Sequence, residues 1–332
     1  MGCNGGKFLE IQKSIIVNSI IDSIERNDCS RVKEYLELYA NLDKSSLSQI
    51  KDKEIITYRE MTFNILSFSL WIGRSLSFLY CLDRLHCSFD SMQISFQNKH
   101  IIPINYICEQ GLIESFKVYL PYYLAYLESL NTSQKSFSAR LDKQKDNYAI
   151  SSNAAQLACY SEHIAILCYI NDYFLNSNPP KELDLHYIDE STGENCALIA
   201  CRSGNLALLK VLHEKIRANF SIFNYKNEGA LQVMAEATKF NCEKVFLPCF
   251  IYLIEVVKLD LNDHYYEISD SLADIEILQY LESVHKKFTW SHNEGESLFN
   301  NKMSKNEQSS IFKLDEDISE IIKASYEGSI II

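Results

Sequence analysis

The sequence predicts an all-α protein in which pairs of helices repeat along the chain and stack into a solenoid, with long insertions between repeats. Three observations support this fold class. A two-helix pattern occupies residues 193–212, and related patterns recur along the 332-residue chain. The chain has only 10 Gly and 5 Pro, which disfavours long irregular regions. A length above that of one compact core fits either two domains or an extended repeat array.

The clearest unit begins with a short helix of small apolar residues, Ala197 to Cys201. Gly204 and Asn205 form the predicted turn, because glycine adopts left-handed backbone angles at low cost. Leucines then recur at helical spacing and predict a second helix with a wide apolar face. This unit resembles an ankyrin repeat. It departs from the family at residues 195–198, where Asn-Cys-Ala-Leu replaces Thr-Pro-Leu-His.

Sliding this pattern along the chain predicts further units over 62–82, 103–120 and 153–170, with turns at positions 73, 111, 162 and 204. Cys108, Cys159 and Cys201 share one position, three residues before the turn, where a small buried residue is expected. The turns lie 38, 51 and 42 residues apart, whereas ankyrin arrays repeat about every 33. The excess predicts polar insertions or lengthened second helices at 90–99, 131–147 and 176–190.

The ends of the array are less regular. Residues 14–38 resemble an ankyrin N-terminal capping pair with a turn at Asn27 and Asp28, after a flexible segment 1–13. A unit starting at 227 has its turn replaced by 238–242, and Pro248 is expected to interrupt its second helix. A last unit covers 266–281. The predicted solenoid therefore spans 14–287, followed by a polar C-terminal extension 288–332.

Composition and charge exclude several classes of function. The net charge of −12 without a dense Lys/Arg run argues against nucleic-acid binding. The 11 cysteines lie mainly in apolar helical runs without a CxxC pair, so free thiols in a reducing, cytoplasmic compartment are expected. No apolar run reaches the length needed to span a bilayer. The histidines share no metal-ligand spacing, and no cofactor motif occurs.

Both termini leave alternatives open. Gly2 and Cys3 look like a myristoylation and palmitoylation site, although Gly6 replaces the preferred Ser or Thr; otherwise the N-terminus is inert. Membrane association is expected only if these residues are acylated. The acidic segment 314–320 and hydrophobic end 321–332 resemble translocation signals of type IV secreted effectors from intracellular bacteria. The alternative is an acidic helix that docks on the last repeat.

No catalytic residues are predicted. His86 and Cys87 are neighbours in sequence, but adjacent side chains on a helix rarely face each other. Motifs of phosphate-binding loops, metalloproteases and serine hydrolases are missing from the sequence. The alternative is a Cys-dependent enzyme decorated by ankyrin-like repeats.

The predicted function is binding of a protein partner. The expected setting is an ankyrin-repeat effector of an intracellular bacterium that binds a host protein in the host cytoplasm; the alternative is a eukaryotic cytosolic scaffold, tethered to a membrane if Gly2 is acylated. The ankyrin resemblance implies that partners contact the first helices and the loops that precede them. The expected contact residues are Tyr160, Ser161, Tyr187, Asp189, Glu190, Arg202, Ser203, Asn224, Tyr225 and Lys226.

Overall fold

The computed structural model describes residues 4–293, apart from positions 90, 91, 93, 97, 98, 133–151, 242, 244, 262, 263 and 273. Most of the described residues are helical, as the sequence predicts. The chain divides into two compact units, Met1–Ile166 and Leu167–Ile332. Each unit is described by itself.

The first unit consists of helices and one small sheet. Its helices are α1 (Asn4–Glu25), α2 (Cys29–Asp43), α3 (Leu47–Ile50), α4 (Ile65–Trp71), α5 (Ser75–Asp83), α6 (Pro103–Gln110), α7 (Ile113–Thr132), α8 (Ala154–Tyr160) and the start of α9 (Ile164–Tyr173). Helices α2, α5 and α7 contact each other in that order, and α6 contacts α8. Large buried side chains such as Phe68, Phe78 and Phe116 fill the core between the helices.

Turns in the first unit share one backbone conformation. The helix pairs α1–α2, α4–α5, α6–α7 and α8–α9 are each joined through a residue with positive φ, namely Asn27 (55°), Gly73 (68°), Gly111 (68°) and Glu162 (61°). The next amide then donates a hydrogen bond to the carbonyl five residues back, as in Arg74 N to Ser69 O at 2.8 Å. The predicted turn positions 73, 111 and 162 are therefore confirmed.

Successive turns also contact each other. The ring of His163 covers Gly111, where an added Cβ would lie 2.5 Å from it. His163 Nε2 also lies 2.9 Å from the carbonyl oxygen of Glu109. Leu112 covers Gly73 in the same way, with 3.2 Å to an added Cβ. Glycine at these turns therefore serves both the left-handed angle and the close approach of the next turn.

A four-stranded antiparallel sheet was not predicted. Its strands are β1 (Ile56–Tyr58), β2 (Met61–Phe63), β3 (Ile94–Phe96) and β4 (Lys99–Ile101), in that order. Tyr58 pairs with Met61 across a two-residue turn in which Arg59 and Glu60 have φ of 48° and 67°. Each hairpin leads into a helix, β1–β2 into α4 and β3–β4 into α6. Strands of three residues are too short to produce a periodic sequence signal.

The second unit contains α10 (Cys196–Ser203), α11 (Leu206–Lys210), α12 (Ala230–Thr238), α13 (Leu247–Ile251), α14 (Tyr265–Ser271) and α15 (Ile275–Asn293). α11 continues as a π-helical turn over Val211–Ile216, and α13 continues in the same way over Tyr252–Val256. Helices α10, α12 and α14 contact in order, and so do α11, α13 and α15. The unit therefore has two helical layers, and the loops that precede α10, α12 and α14 belong to the first layer.

Several boundaries differ from the predictions. Helix α1 begins at Asn4 rather than near 14, and α15 continues to Asn293, past the predicted end of the array at 287. Pro248 was expected to interrupt a helix. It instead lies in the first turn of α13, where the missing N–H of proline costs no hydrogen bond because an amide there has no partner within the helix. The lengthened second helix predicted around Tyr119 is confirmed by the 20-residue α7.

Some predictions fall outside the described residues. These are acylation of Gly2 and Cys3, the whole C-terminal segment 314–332, and most of the insertion predicted at 131–147. Among the helices of the described ranges, none combines the length and apolar character needed to cross a bilayer.

Candidate functional site

The loop before α10 is held together by Asp189. This side chain is only 3% exposed, and its Oδ1 accepts hydrogen bonds from the amides of Ser191 and Thr192 at 2.7 and 3.1 Å. The Asp189 amide donates to the carbonyl of Glu194 at 2.8 Å, which closes the loop 189–194. An aspartate in this arrangement folds a turn around its own carboxylate. Asn195 then caps α10 by accepting from the Leu198 amide at 3.1 Å, the role that Ser or Thr often plays.

The loop before α12 repeats this design with Asn224. Its Oδ1 accepts hydrogen bonds from the amides of Lys226 and Glu228 at 3.0 and 2.9 Å, and the residue is 6% exposed. Asn227 has a positive φ of 63°, at the place that Gly193 (75°) takes in the preceding loop. The 224–228 loop is thus a shorter version of the 189–194 loop.

Arg202 connects the two loops electrostatically. Its Nε lies 3.2 Å from Glu194 Oε1, its Nη2 pairs with the same oxygen, and Nη2 is 4.0 Å from Glu228 Oε2. Asn224 Nδ2 donates to Glu228 at 2.7 Å. The Glu194 side chain is only 5% exposed, so this guanidinium is the counter-charge of a carboxylate that has little contact with water. The network fixes both loops relative to α10.

Aromatic side chains project from the rigid 224–228 loop and its flank. Asn224 is buried, while its neighbours Phe223 and Tyr225 are 49% and 70% exposed. Tyr225 lies on Gly193, where an added Cβ would be 2.7 Å from the ring, and its amide donates to the Thr192 carbonyl at 2.9 Å. The Phe223 ring packs edge-on against His264, with centroids 5.8 Å apart.

A carboxylate lies beside the His264 ring. Glu267 on α14 accepts hydrogen bonds from Gln232 Nε2 at 2.7 Å and lies 3.1 Å from His264 Nδ1. Its side chain is nonetheless 67% exposed. Phe223, Tyr225, Glu228, His264 and Glu267 are called the loop face below. They come from the loop before α12, from the loop before α14 and from α14 itself.

The structure divides the residues that the sequence predicted as contacts. Tyr160 and Ser161 belong to the first unit, at the end of α8, and the other eight belong to the second. Tyr160 is 46% exposed, and the amide of Ser161 closes the helix end by donating to Leu157 O.

Two of the predicted contact residues, Asp189 and Asn224, are buried, and their side chains hold the loops. Arg202 has its guanidinium committed to Glu194 and Glu228. The Ser203 hydroxyl donates back to Ala200 O at 2.8 Å within its own helix. These residues therefore support the surface through polar contacts within the chain.

The remaining predicted residues face outward. Glu190 and Lys181 pair at 2.7 Å, and Lys181 Nζ lies 5.1 Å from the Tyr187 ring centroid. The hydrogen bond to Glu190 raises the pKa of Lys181. Tyr187 is half-buried, whereas Tyr225 and Lys226 are exposed. Tyr225 is the predicted contact residue that the loop face contains.

Sequence reasoning missed Phe223, Glu228, His264 and Glu267. A signal was present, because Phe223 and Ile188 are apolar residues that directly precede the loop-closing Asn224 and Asp189. The two loops differ in length by one residue, which hides this correspondence in a fixed-period search. The position of Glu267 depends on packing between successive helices.

The cysteines at the shared repeat position are buried, as predicted. Burial raises the pKa of the Cys108 and Cys201 thiols well above the ordinary value, so both are protonated at neutral pH. Cys87 is also buried. Within the described part of the chain, Cys29 and Cys168 are the cysteines of intermediate exposure. Nowhere in that part do three or more His, Cys, Asp or Glu side chains gather as a metal would require.

The sequence matches no protein-family model, and the search of curated proteins returns no match.

Proposed function

We propose that this chain is a protein-binding module made of ankyrin-type helix pairs, and that its partner contacts the loop face of the second unit. Two structural features support the repeat assignment. Helix pairs are joined by left-handed turns at corresponding positions, including Gly204 (63°) between α10 and α11. In the second unit, first helices contact first helices and second helices contact second helices.

The observation that carries the binding proposal is the combination of rigid loops and exposed aromatic rings. Asp189, Asn224 and Arg202 hold the two loops through buried hydrogen bonds and ion pairs. Phe223 and Tyr225 are left about half or more exposed on that support. Aromatic side chains held in place lose little entropy on binding and commonly anchor interfaces.

The proposal is confined to binding. The effector setting depends on residues 314–332 and the acylated scaffold on Gly2 and Cys3, all outside the described residues. Either setting requires a partner for the loop face.

The test is quantitative affinity capture from a eukaryotic lysate with the full-length chain and two variants. Phe223→Ala combined with Tyr225→Ala removes both rings, and Phe240→Ala is the matched control. Phe240 is also an exposed aromatic residue, at 82%, but it lies after α12 and outside the loop face.

Proteins captured by the wild type and by Phe240→Ala should be lost with the double variant. Far-UV circular dichroism of all three proteins establishes that the variants fold. A captured set that is unchanged by removal of both rings contradicts the proposal. Arg202→Ala is unsuited to this purpose, because it leaves the buried Glu194 carboxylate without its cation.

A further inference from the structure

We infer that the partner segment bound by the loop face carries an arginine next to an apolar side chain. This inference rests on the proposed function, which it extends to the chemistry of the partner. It is argued from the rings, from the carboxylate beside His264 and from the charge balance of the face.

The rings offer flat surfaces to a planar cation. Phe223 and Tyr225 alternate with the inward Asn224, so both project from the outer side of one loop. A guanidinium stacks on an aromatic face through cation–π attraction and retains its in-plane donors for other partners. A lysine ammonium is more strongly hydrated and lacks the planar shape. Arginine is therefore the basic residue that this surface fits best.

Glu267 supplies the counter-charge within reach of such a cation. The His264 ring bridges them, since it packs on Phe223 with centroids 5.8 Å apart and its Nδ1 lies 3.1 Å from Glu267 Oε2. Gln232 fixes the same carboxylate by a 2.7 Å hydrogen bond. A guanidinium on Phe223 can thus reach a carboxylate that is already oriented, which lowers the entropic cost of pairing.

The charge balance also favours a basic segment. The loop face and its supporting network contain the carboxylates of Glu194, Glu228 and Glu267 against the cations of Arg202 and Lys226. Arg202 is committed to Glu194 and Glu228, so it does not offset Glu267. The whole chain carries −12, which attracts basic segments at long range and repels acidic ones.

An uncharged apolar segment fits less well. Covering Phe223 and the His264 ring that packs on it with apolar groups alone would also remove water from Glu267, which lies 3.1 Å from His264 and has a side chain 67% exposed in the free protein. Taking a carboxylate out of water without a cation is unfavourable. The apolar neighbour of the arginine is therefore expected to cover the rings while the guanidinium pairs with Glu267.

The probe for this inference is a phage-displayed library of random 12-residue peptides. It is selected on the full-length wild-type protein, with removal of phage that bind the Phe223→Ala/Tyr225→Ala variant. The strongest peptide is then synthesised in two forms, as selected and with its arginine replaced by citrulline, which is nearly isosteric and uncharged. Dissociation constants are measured for the wild type, Glu267→Gln and the Phe240→Ala control.

The expected result is enrichment of arginine beside aromatic or aliphatic residues. Citrulline should weaken binding to the wild type by about tenfold or more, because a charge-assisted hydrogen bond is lost. Glu267→Gln should weaken the arginine peptide by a similar factor and the citrulline peptide by less than about twofold, since the two changes remove one interaction. Phe240→Ala should leave both constants unchanged.

Other outcomes separate the inference from the proposed function. Peptides that need Phe223 and Tyr225 but are acidic, or are insensitive to citrulline, overturn the arginine inference and leave the binding face intact. If every phage enriched on the wild type is removed by the double variant, the peptides do not need Phe223 and Tyr225, and this result counts against the binding face itself. If the wild type enriches no phage before that removal, the inference is also overturned, since a short arginine-bearing segment is then insufficient.

Discussion

Gly204→Ala is expected to destabilise the second unit more strongly than a surface substitution would. Gly204 has a φ of +63°, an angle that costs an L-residue about 1–2 kcal/mol. A Cβ there would lie 2.7 Å from Cε1 of Phe246, a ring that is 2% exposed and cannot swing into solvent. Overpacking of this kind adds about 1–3 kcal/mol. The free energy of unfolding should therefore fall by about 2–5 kcal/mol.

The assay is urea unfolding followed by circular dichroism at 222 nm. Phe246→Leu shortens the ring that covers the turn and separates the two contributions. In that background Gly204→Ala should cost only the backbone share, about 1–2 kcal/mol. Glu162→Gly is the matched control, because Glu162 holds the corresponding turn of the first unit at +61° and a glycine relieves that angle. It should not destabilise. A loss below about 0.5 kcal/mol for Gly204→Ala, or an equal loss with and without Phe246, refutes the turn-stacking argument.

Three further predictions test other parts of the structure. Arg202→Ala should lower the free energy of unfolding by about 3 kcal/mol, because the Glu194 carboxylate stays buried without its cation. Adding Glu194→Gln to that variant should recover stability, and no recovery would contradict this cause. Hydrogen bonds from Lys13, and from Ser45, lower the pKa of Asp43 to about 2. Stabilisation by Asp43 should therefore be complete above about pH 4 and disappear as pH falls towards 2, so Asp43→Asn should destabilise the protein at pH 7 and progressively less in acid; a difference independent of pH contradicts the ion pair. Ellman's reagent should label Cys29 and Cys168 in the native protein before Cys108 and Cys201, because the thiols of the latter two are buried and protonated. Peptide mass mapping gives the labelling rate of each cysteine, and equal rates would contradict that burial.

The turns could be predicted from the sequence because their chemistry is local. A turn residue with left-handed backbone angles between two helices is most often Gly or Asn, so only a few positions in the sequence are candidates for such a turn. Three of the four predicted positions between 73 and 204 carry glycine, and the fourth, Glu162, was found by alignment with them. Asn64, Asn153 and Asn195 act as helix caps for the same local reason.

The loop face and the residues that support it could be predicted only in part. Asp189 and Asn224 look like surface residues in the sequence, and their burial depends on hydrogen bonds to nearby amides that a fixed-period search does not reveal. Arg202 looks like an interface anchor until Glu194 and Glu228 are placed around it. The short strands were missed because three-residue segments have no detectable alternation.

The most direct test of protein binding by the loop face is site-specific photocrosslinking of the full-length chain. p-Benzoylphenylalanine is placed at Tyr225, and in a second protein at Val256, a 36% exposed position in the layer of second helices. After irradiation in a eukaryotic lysate, the Tyr225 position should give a discrete adduct that Phe223→Ala abolishes, and the Val256 position should give none. Equal adducts at both positions, or an adduct at Tyr225 that is indifferent to Phe223→Ala, would contradict the account.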